Sequence, residues 1–480
     1  MKKLYDIILI ALFSGLNPMG GYSGNPLSHT GLNGNSQANA DLGKYKSTGS
    51  DSWQNVGPAG FSAGEAPGTF LAIGPSGQLY IVFADSINQN KATVMKFDGT
   101  NWVIVGTPGF SAGQVTFPQL AFNKNGQPYV IYRDNGNSDK STVMKFDGTQ
   151  WMTVGNAGFS SGFVNYTCIA FDTTGQLYAA FSDGGNAYKA RVMKFDGTNW
   201  VNVGNAGFSA GDAVYMNLVI GPDNNPCVAF EDNGSGAEAY VMQFNGTNWV
   251  NVGLGGLSGG IAWFISLAFN PISGEPYVAY SDVEGNSNAT VRRFDGTNWV
   301  DVGITEFSAG PAWYVSLGFN SSGEPYVAYS DEGNAFNATV MMFDGANWAN
   351  VGIPGFSPGE AYYTSLVFHP LDQPYVAFTD YANGQKASVM RYGGPTGVNE
   401  ISNSRMSVYP DPAYTTLTID LEIASGTKLI EVYDLTGKKM FESNNSVDKI
   451  VLNVENYPTG IYFIRIKTDS INYTGKFCKN

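Results

Sequence analysis

A segment of about 49 residues recurs along most of this chain, and each copy carries a tryptophan at the same place. Consecutive tryptophans are 49, 49, 49, 49, 50 and 49 residues apart. A period between about 20 and 50 residues is typical of arrays in which each copy packs against the next. The tryptophans are Trp53, Trp102, Trp151, Trp200, Trp249, Trp299 and Trp348.

The copy between Trp102 and Trp151 contains four short runs rich in Val, Ile, Tyr and Phe, at 103–105, 120–122, 128–132 and 142–146. Gly, Asn, Asp or Pro bounds each run, which is the pattern of strands joined by turns. Asp147-Gly148 predicts a hairpin, because tight hairpin turns need positive φ, which glycine adopts without steric cost. Four strands per copy, with no helical period, predict one blade of a β-propeller.

The two ends of the repeat region predict a closed ring. The first tryptophan run, at 51–56, precedes any complete copy, and the last copy stops after three runs, at 388–392. An open array would expose two strand edges, and pairing the first strand with the last blade removes them. The fold class that we predict is all-β, a seven-bladed β-propeller over residues 50–392.

The segment before the repeats predicts export. Residues 1–20 begin with Lys2 and Lys3 and continue with a short apolar core, Ile7 to Leu16, as in a signal peptide. That core is too short to span a bilayer of about 30 Å. Residues 21–49 are rich in Gly, Ser and Asn and are predicted to be a flexible leader.

Charge and composition exclude some functions. The net charge is −14, which argues against nucleic acid or an anionic membrane as the main partner, since both attract basic patches. Three cysteines (Cys168, Cys227 and Cys478) and two histidines show no zinc-ligand spacing. We expect Cys168 and Cys227 to be unpaired and buried, with a bridge between them as the alternative, and we expect no metal and no cofactor.

The composition changes after residues 393–405, which read as a linker. Alternating apolar runs over residues 406–480 predict a small β-sandwich. The segment 408–412 (Val-Tyr-Pro-Asp-Pro), the turn 433–438, the segment 459–462 (Thr-Gly-Ile-Tyr) and the pair Lys476-Phe477 stand there in order.

These motifs resemble the C-terminal sorting domain of the type IX secretion system, and an ordinary accessory sandwich is the alternative. The resemblance implies passage through the type IX machinery, removal of the tail, and release or attachment at the outer surface of a Gram-negative bacterium. The repeats themselves resemble secreted bacterial propellers and propeller lectins only in general appearance.

Features that all seven copies share are predicted to be scaffold. The tryptophans should pack between blades. An aspartate ends the second strand of every copy and should cap the following turn through nearby backbone N–H groups, with a ring of seven cation ligands as the alternative. These residues are Asp85, Asp134, Asp183, Asp232, Asp282, Asp331 and Asp380.

Features that vary between copies are better candidates for a binding site. Fifteen residues after each tryptophan stand Gly68, Phe117, Tyr166, Tyr215, Phe264, Tyr314 and Tyr363, which we call the inner row. One residue earlier stand Pro67, Thr116, Asn165, Val214, Trp263, Trp313 and Tyr362, which we call the outer row. Since successive strand residues face opposite ways, one row should face the mouth of the channel and the other should pack between blades.

Blades 5 to 7 carry aromatics in both rows, so an exposed aromatic arc is expected whichever row faces out. The candidate ligand-binding residues are Trp263, Phe264, Trp313, Tyr314, Tyr362 and Tyr363, with Glu65, Asp212 and Glu360 as polar contacts. Aromatic faces beside carboxylates suit sugar rings. The alternative is that these aromatics only plug the channel, as inward side chains of propellers often do.

Three functions remain open from the sequence. The first is a secreted or surface-bound binding protein without catalysis, which engages a glycan or a protein. The second is a polysaccharide-active enzyme that uses Glu360 and Glu65 as its two carboxylates. The third is a structural component of the surface layer or of adhesion.

Overall fold

The computed structural model describes residues 52–370, 372–393, 406–410, 412–421, 428–435, 438–447, 449–467 and 472–479. The predicted signal peptide (1–20) and leader (21–49) lie outside these residues. So does the predicted linker from residue 394 onward, whereas Gly393 ends a strand. Among the described residues, none of the helices has the length and apolar character that crossing a membrane requires.

Seven four-stranded antiparallel sheets form the repeat region, which confirms the propeller. The first strand of each blade packs against the first strands of its neighbours and so lines the central channel. From first to fourth strand, the first three blades are Phe70–Ile73, Leu79–Asp85, Lys91–Phe97 and Trp102–Ile104; Val115–Phe122, Pro128–Asp134, Lys140–Phe146 and Trp151–Thr153; Val164–Phe171, Leu177–Asp183, Lys189–Phe195 and Trp200–Asn202.

The remaining blades repeat the same order. Blades 4 to 7 are Ala213–Ile220, Pro226–Asp232, Glu238–Phe244 and Trp249–Asn251; Ala262–Phe269, Pro276–Asp282, Asn288–Phe294 and Trp299–Asp301; Ala312–Phe319, Pro325–Asp331, Asn337–Phe343 and Trp348–Asn350; Ala361–Phe368, Pro374–Asp380, Lys386–Gly393 and Ser52–Asn55. Short 3₁₀ turns follow the second strand at Ser86–Asn88, Asn135–Asn137, Gly184–Asn186, Asn233–Ser235, Glu332–Asn334 and Tyr381–Asn383.

The N-terminal strand closes the ring, as the repeat count predicts. Ser52–Asn55 pairs antiparallel with Lys386–Gly393, and Trp53 lies opposite Tyr392. The Trp53 Nε1–H donates to the carbonyl oxygen of Val351 at 2.7 Å. The last blade therefore takes its outer strand from the opposite end of the repeat region.

Each tryptophan bridges two blades, which confirms the scaffold role. The seven indole N–H groups donate to a valine carbonyl in the loop that follows the preceding blade's tryptophan strand, at 2.7–2.9 Å. Six indoles also stack on a phenylalanine of that loop, with centroids 3.9–4.5 Å apart.

The aspartates at the ends of the second strands cap their own loops. In blades 1 to 5 the carboxylate accepts a backbone N–H two or three residues on, at 2.9–3.3 Å. Asp331 and Asp380 instead accept from the side chains of Asn334 and Asn383. Within the described residues, no group of three or more acidic, histidine or cysteine side chains is arranged to hold a metal ion.

The carboxyl-terminal strands form two sheets around one core, as predicted for a sandwich. One sheet holds Met406–Tyr409, Thr416–Leu421 and Lys449–Asn453, and the other holds Lys439–Asn445, Lys428–Asp434, Gly460–Lys467 and Asn472–Lys479. Leu417, Ile419, Val432 and Ile464 contribute to the shared core.

Cys168 and Cys227 form no disulfide and are buried, as expected. Burial raises the pKa of the Cys168 thiol to about 12, and it raises the pKa of Cys227 as well. Cys478 is exposed on an outer strand of the carboxyl-terminal sheets.

Candidate ligand-binding face

The inner row forms a ring of six aromatic side chains at the end of the channel where the first strands begin. Neighbouring rings from Phe117 to Tyr363 have centroids 4.7–5.4 Å apart. Each of the six residues has φ between 52° and 56°, in the left-handed region. The seventh position is Gly68, with φ of 69° and no side chain, so the ring is broken at blade 1.

A β-bulge in the first strand of blades 2 to 7 explains how these positions are oriented. The pairing register shifts there, for example between Thr116 and Gln119. As a result, the two consecutive residues of the outer and inner rows are both half-buried in these blades. A bulge re-aims side chains and interrupts strict alternation.

Both rows therefore meet at the mouth of the channel, contrary to the expectation that one row would pack away from it. Phe264 lies 5.7 Å from Trp313, and Tyr314 lies 5.7 Å from Tyr362. The structure thus brings all six predicted aromatic residues of blades 5 to 7 together.

An arc of five aromatic rings runs across blades 5 to 7 outside the inner ring. It consists of Trp263, Trp313, Phe336, Tyr362 and Tyr381, with successive centroids 6.3, 6.5, 6.1 and 4.8 Å apart. We call these five residues the aromatic arc. Phe336 and Tyr381 come from the loops between the second and third strands, which lie beside the first strands at this end of each blade.

Carboxylates are hydrogen-bonded to the polar tips of the arc. The Trp313 Nε1–H donates to Glu332 Oε2 at 2.9 Å, and the Tyr362 hydroxyl donates to Glu360 Oε2 at 3.0 Å. Burial raises the pKa of Tyr362, and the bond to Glu360 raises it further. The tyrosine hydroxyl therefore remains a proton donor over the whole physiological range.

Of the three predicted polar contacts, two lie at the arc. Glu360 belongs to it through Tyr362. Glu65 is exposed. Burial raises the pKa of Tyr381, and the nearby charges of Glu360 and Glu65 raise it further. Asp212 precedes the first strand of blade 4 and lies outside the arc.

Arg133 interrupts the repeat on the other side of the ring, in blade 2. Its guanidinium lies 4.7 Å from the centroid of Phe163 and 5.7 Å from that of Phe117. It also donates to Asn165 Oδ1 at 3.0 Å. Arg133 is also paired with Asp139, whose Oδ1 lies 3.4 Å from its Nε. The mouth therefore has an acidic, aromatic side and a second side where Arg133 forms an ion pair.

Phe336, Tyr381 and Glu231 were not among the site residues predicted from the sequence. Glu231 stands in the second strand of blade 4, opposite Val214 of the outer row. It is 6% exposed, and among the described residues its Oε2 has no hydrogen-bond partner. Burial raises the pKa of Glu231 to about 8. Comparing copies could have found it, since the equivalent residues are Ala84, Arg133, Ser182, Ser281, Ser330 and Thr379.

A cavity of about 230 Å³ lies in the channel beside the aromatic ring. Its walls are formed by the inner row from Tyr166 to Tyr363 and by polar side chains that follow in the first strands. Among these are Asn217, Ser266, Ser316 and Ser365. The inner row therefore lines an occupiable space and does not fill the channel completely.

Two family models match parts of the chain. Residues 407–480 match the secretion system C-terminal sorting domain, and residues 35–261 match Tachylectin. No curated protein matches the sequence. The first match confirms the sorting domain, which marks proteins that the type IX system delivers to the outer surface or the medium.

Solved structures with a similar arrangement have low identity. PorZ, a surface component of the type IX secretion system of Porphyromonas gingivalis, is 14% identical over 88% of this chain and 61% of its own, with a TM-score of 0.45. The SapL1 lectin in complex with alpha methyl fucoside is 15% identical to this chain. The match covers 63% of this chain and 99% of the lectin, with a TM-score of 0.41. The polysaccharide lyase Uly1 is 8% identical to this chain. The match covers 70% of this chain and 90% of the lyase, with a TM-score of 0.45. Likeness at this level says nothing about function.

Proposed function

We propose that this chain, which ends in a type IX sorting domain and is therefore exported, is a non-catalytic protein that binds a glycan through the aromatic arc. The observation that carries the proposal is the arc itself, five rings in succession with carboxylates fixed at two of them. The Tachylectin match, to a family named as a lectin, supports binding as well, although it ends at residue 261, before the arc begins.

The arc has the chemistry that a sugar chain requires. Its neighbouring rings are tilted by 42–76° and none is stacked flat on the next, so the rings do not cover one another's faces. Sugar C–H faces can pack on such rings, and sugar hydroxyls can donate to the free lone pairs of Glu332 and Glu360. A row of several rings suits an oligosaccharide better than a single sugar.

The enzyme alternative rested on Glu65 and Glu360. Glycoside hydrolysis needs one carboxyl group in a setting that keeps it protonated and another in a setting that keeps it ionised. Both Glu65 and Glu360 are exposed, so neither lies in the buried, apolar setting that a catalytic acid uses. Their exposure favours binding over catalysis at the arc.

The test is a glycan-array screen of the purified full-length chain beside the variant Trp313→Ala. We expect wild type to bind at least one class of glycan, and the variant to bind it at least tenfold more weakly, since the loss of a central aromatic contact costs about 1.4 kcal/mol or more. The melting temperature of the variant should stay close to that of wild type, because Trp313 is half-buried at the mouth.

The matched control is Tyr188→Ala, the blade 3 counterpart of Phe336, which is 41% exposed on the same face but outside the arc. Its binding should equal that of wild type. If wild type binds no glycan, the lectin function is refuted and a protein ligand or a structural role takes its place. Equal loss in both variants would show that binding does not depend on the arc.

A further inference from the structure

The break in the aromatic ring lies where the arc ends. The loop that carries Glu65 and leads into Gly68 is hydrogen-bonded to blade 7 beside Tyr381. Thr379 Oγ1 donates to the Ala66 carbonyl at 2.8 Å, and the Ala66 N–H donates to the carbonyl of Gln385 at 2.9 Å. A ligand that follows the arc from Trp263 to Tyr381 is therefore led to the one blade that lacks an inner-row side chain.

The axial cavity opens directly behind this break. Thr69 and Phe70, which follow Gly68, are part of its wall. No ring contact joins Tyr363 to Phe117 across blade 1 in the part of the chain that the structure describes. At about 230 Å³, the cavity is smaller than the ~300–1,000 Å³ of pockets that bury a drug-sized ligand. It can take one small group and not a whole oligosaccharide.

The wall of the cavity presents hydrogen-bond donors. The hydroxyl oxygens of Ser266, Ser316 and Ser365 each accept a backbone N–H from the next blade, at 3.0–3.1 Å. These bonds connect the first strands of neighbouring blades. The hydroxyl protons remain available, since none of the described residues accepts them. Asn217 likewise uses its Oδ1 to accept the Leu267 N–H at 3.3 Å, which leaves its NH₂ group available.

Two neighbouring threonines, by contrast, use their hydroxyl protons in hydrogen bonds within the protein. Thr69 donates its hydroxyl proton to the Tyr363 carbonyl at 3.1 Å, and Thr364 donates to the Tyr314 carbonyl. Their protons are already used, whereas those of the serines on blades 5, 6 and 7 are not. An aromatic cover above a set of free donors is complementary to a small ring that carries several acceptor oxygens.

We infer that a glycan lying along the arc inserts its terminal sugar past Gly68 into the axial cavity, so that the protein recognises chain ends. This inference rests on the proposed function and specifies which part of the glycan is bound. The arc then provides affinity for the chain, and the serine hydroxyls of blades 5 to 7 provide the contact to its last sugar.

The direct test is Gly68→Tyr, which completes the ring. The six other inner-row residues already hold a side chain at a similar φ, and a Cβ at residue 68 would meet only Pro118, with its Cδ at 3.3 Å. Titration calorimetry would use full-length protein with xylohexaose, laminarihexaose, mannohexaose and chitohexaose. We expect Gly68→Tyr to weaken the binding that wild type shows by at least tenfold while the protein stays folded, with a somewhat lower melting temperature because a side chain at this positive φ is strained.

The matched control is Phe117→Gly, which makes the reverse change at the adjacent blade and should retain binding. If Gly68→Tyr binds like wild type while Trp313→Ala binds weakly, the arc still binds the glycan but insertion is refuted. If wild type binds none of the hexasaccharides and no glycan on the array, the proposed function fails and the inference with it.

A second measurement needs no variant. In a competition assay, xylohexaose should inhibit binding as strongly as xylan when both are present at the same concentration of chain ends. It should inhibit much more strongly than xylan when both are present at the same total concentration of sugar units. Laminarihexaose with laminarin and mannohexaose with mannan make the same comparison. Equal potency by total sugar would mean that internal units are recognised, which overturns the inference.

Discussion

Glu231 shows what a single non-repeating residue does to the protein. Six other blades place Ala, Ser, Thr or Arg at its position, and blade 4 buries a carboxyl group there. Because burial raises the pKa of Glu231 to about 8, the folded protein keeps a proton that the unfolded chain releases at about pH 4.3. Folding is then linked to pH through this one side chain.

We predict that Glu231 makes the fold less stable as the pH rises. Between about pH 4.3 and 8 the folded state binds more protons than the unfolded state, so the free energy of unfolding falls with pH, by at most about 1.4 kcal/mol per unit. Glu231→Gln should therefore remove a decline in melting temperature between pH 5 and pH 8. The exposed Glu306→Gln serves as control and should keep the wild-type profile, and identical profiles for Glu231→Gln and wild type would refute the linkage.

A stacked pair of one tryptophan and one phenylalanine joins each blade to the next, and the pair between blades 4 and 5 lacks the phenylalanine. Six tryptophans stack on a phenylalanine eight residues after the preceding tryptophan. The seventh, Trp299, faces Leu257 at that position and is half-buried, whereas the other six are buried. The interface between blades 4 and 5 is therefore the one that departs from the repeat.

We predict that Leu257→Phe stabilises the propeller, since it restores the stacked pair that the other interfaces have. An aromatic pair is worth about 0.5–1.5 kcal/mol beyond the area that it buries, so the free energy of unfolding in urea should rise by about that amount. Leu257→Met is the control without a ring and should change it little. A loss of stability in Leu257→Phe would mean that this interface is too tightly packed for the ring.

At the scale of the whole molecule, the ring depends on a strand that comes from the other end of the repeat region. Trp53 makes the same two contacts across the closure, to Val351 and Phe356, as Trp200 makes between blades 2 and 3 with Val154 and Phe159. The contacts of the closing interface thus equal those of an interface that the chain crosses continuously.

We predict that Trp53→Ala and Trp200→Ala lower the free energy of unfolding by similar amounts, about 3–5 kcal/mol each, as large-to-small changes in a packed core do. Urea unfolding followed by tryptophan fluorescence measures both. A cost for Trp53→Ala far below that for Trp200→Ala would show that the closing strand detaches in solution and that the ring opens.

Local, repeated chemistry was readable from the sequence alone. The period of 49 residues, the Asp-Gly turns and the unpaired first strand predict the blade number, the strands in each blade and the closure, because every copy reports the same short-range pattern. The sorting domain was equally readable, since its motifs lie within one short segment. The caps at the second-strand ends follow from the same local logic.

The binding face depended on contacts that only the folded ring creates. The bulge brings Trp313 and Phe264 together, and the loops of blades 6 and 7 add Phe336 and Tyr381 to the arc. Burial of Glu231 and the free serine hydroxyls likewise arise where blades meet. Strand periodicity constrains a residue only relative to its neighbours in sequence, whereas these features depend on how each blade is placed against the next.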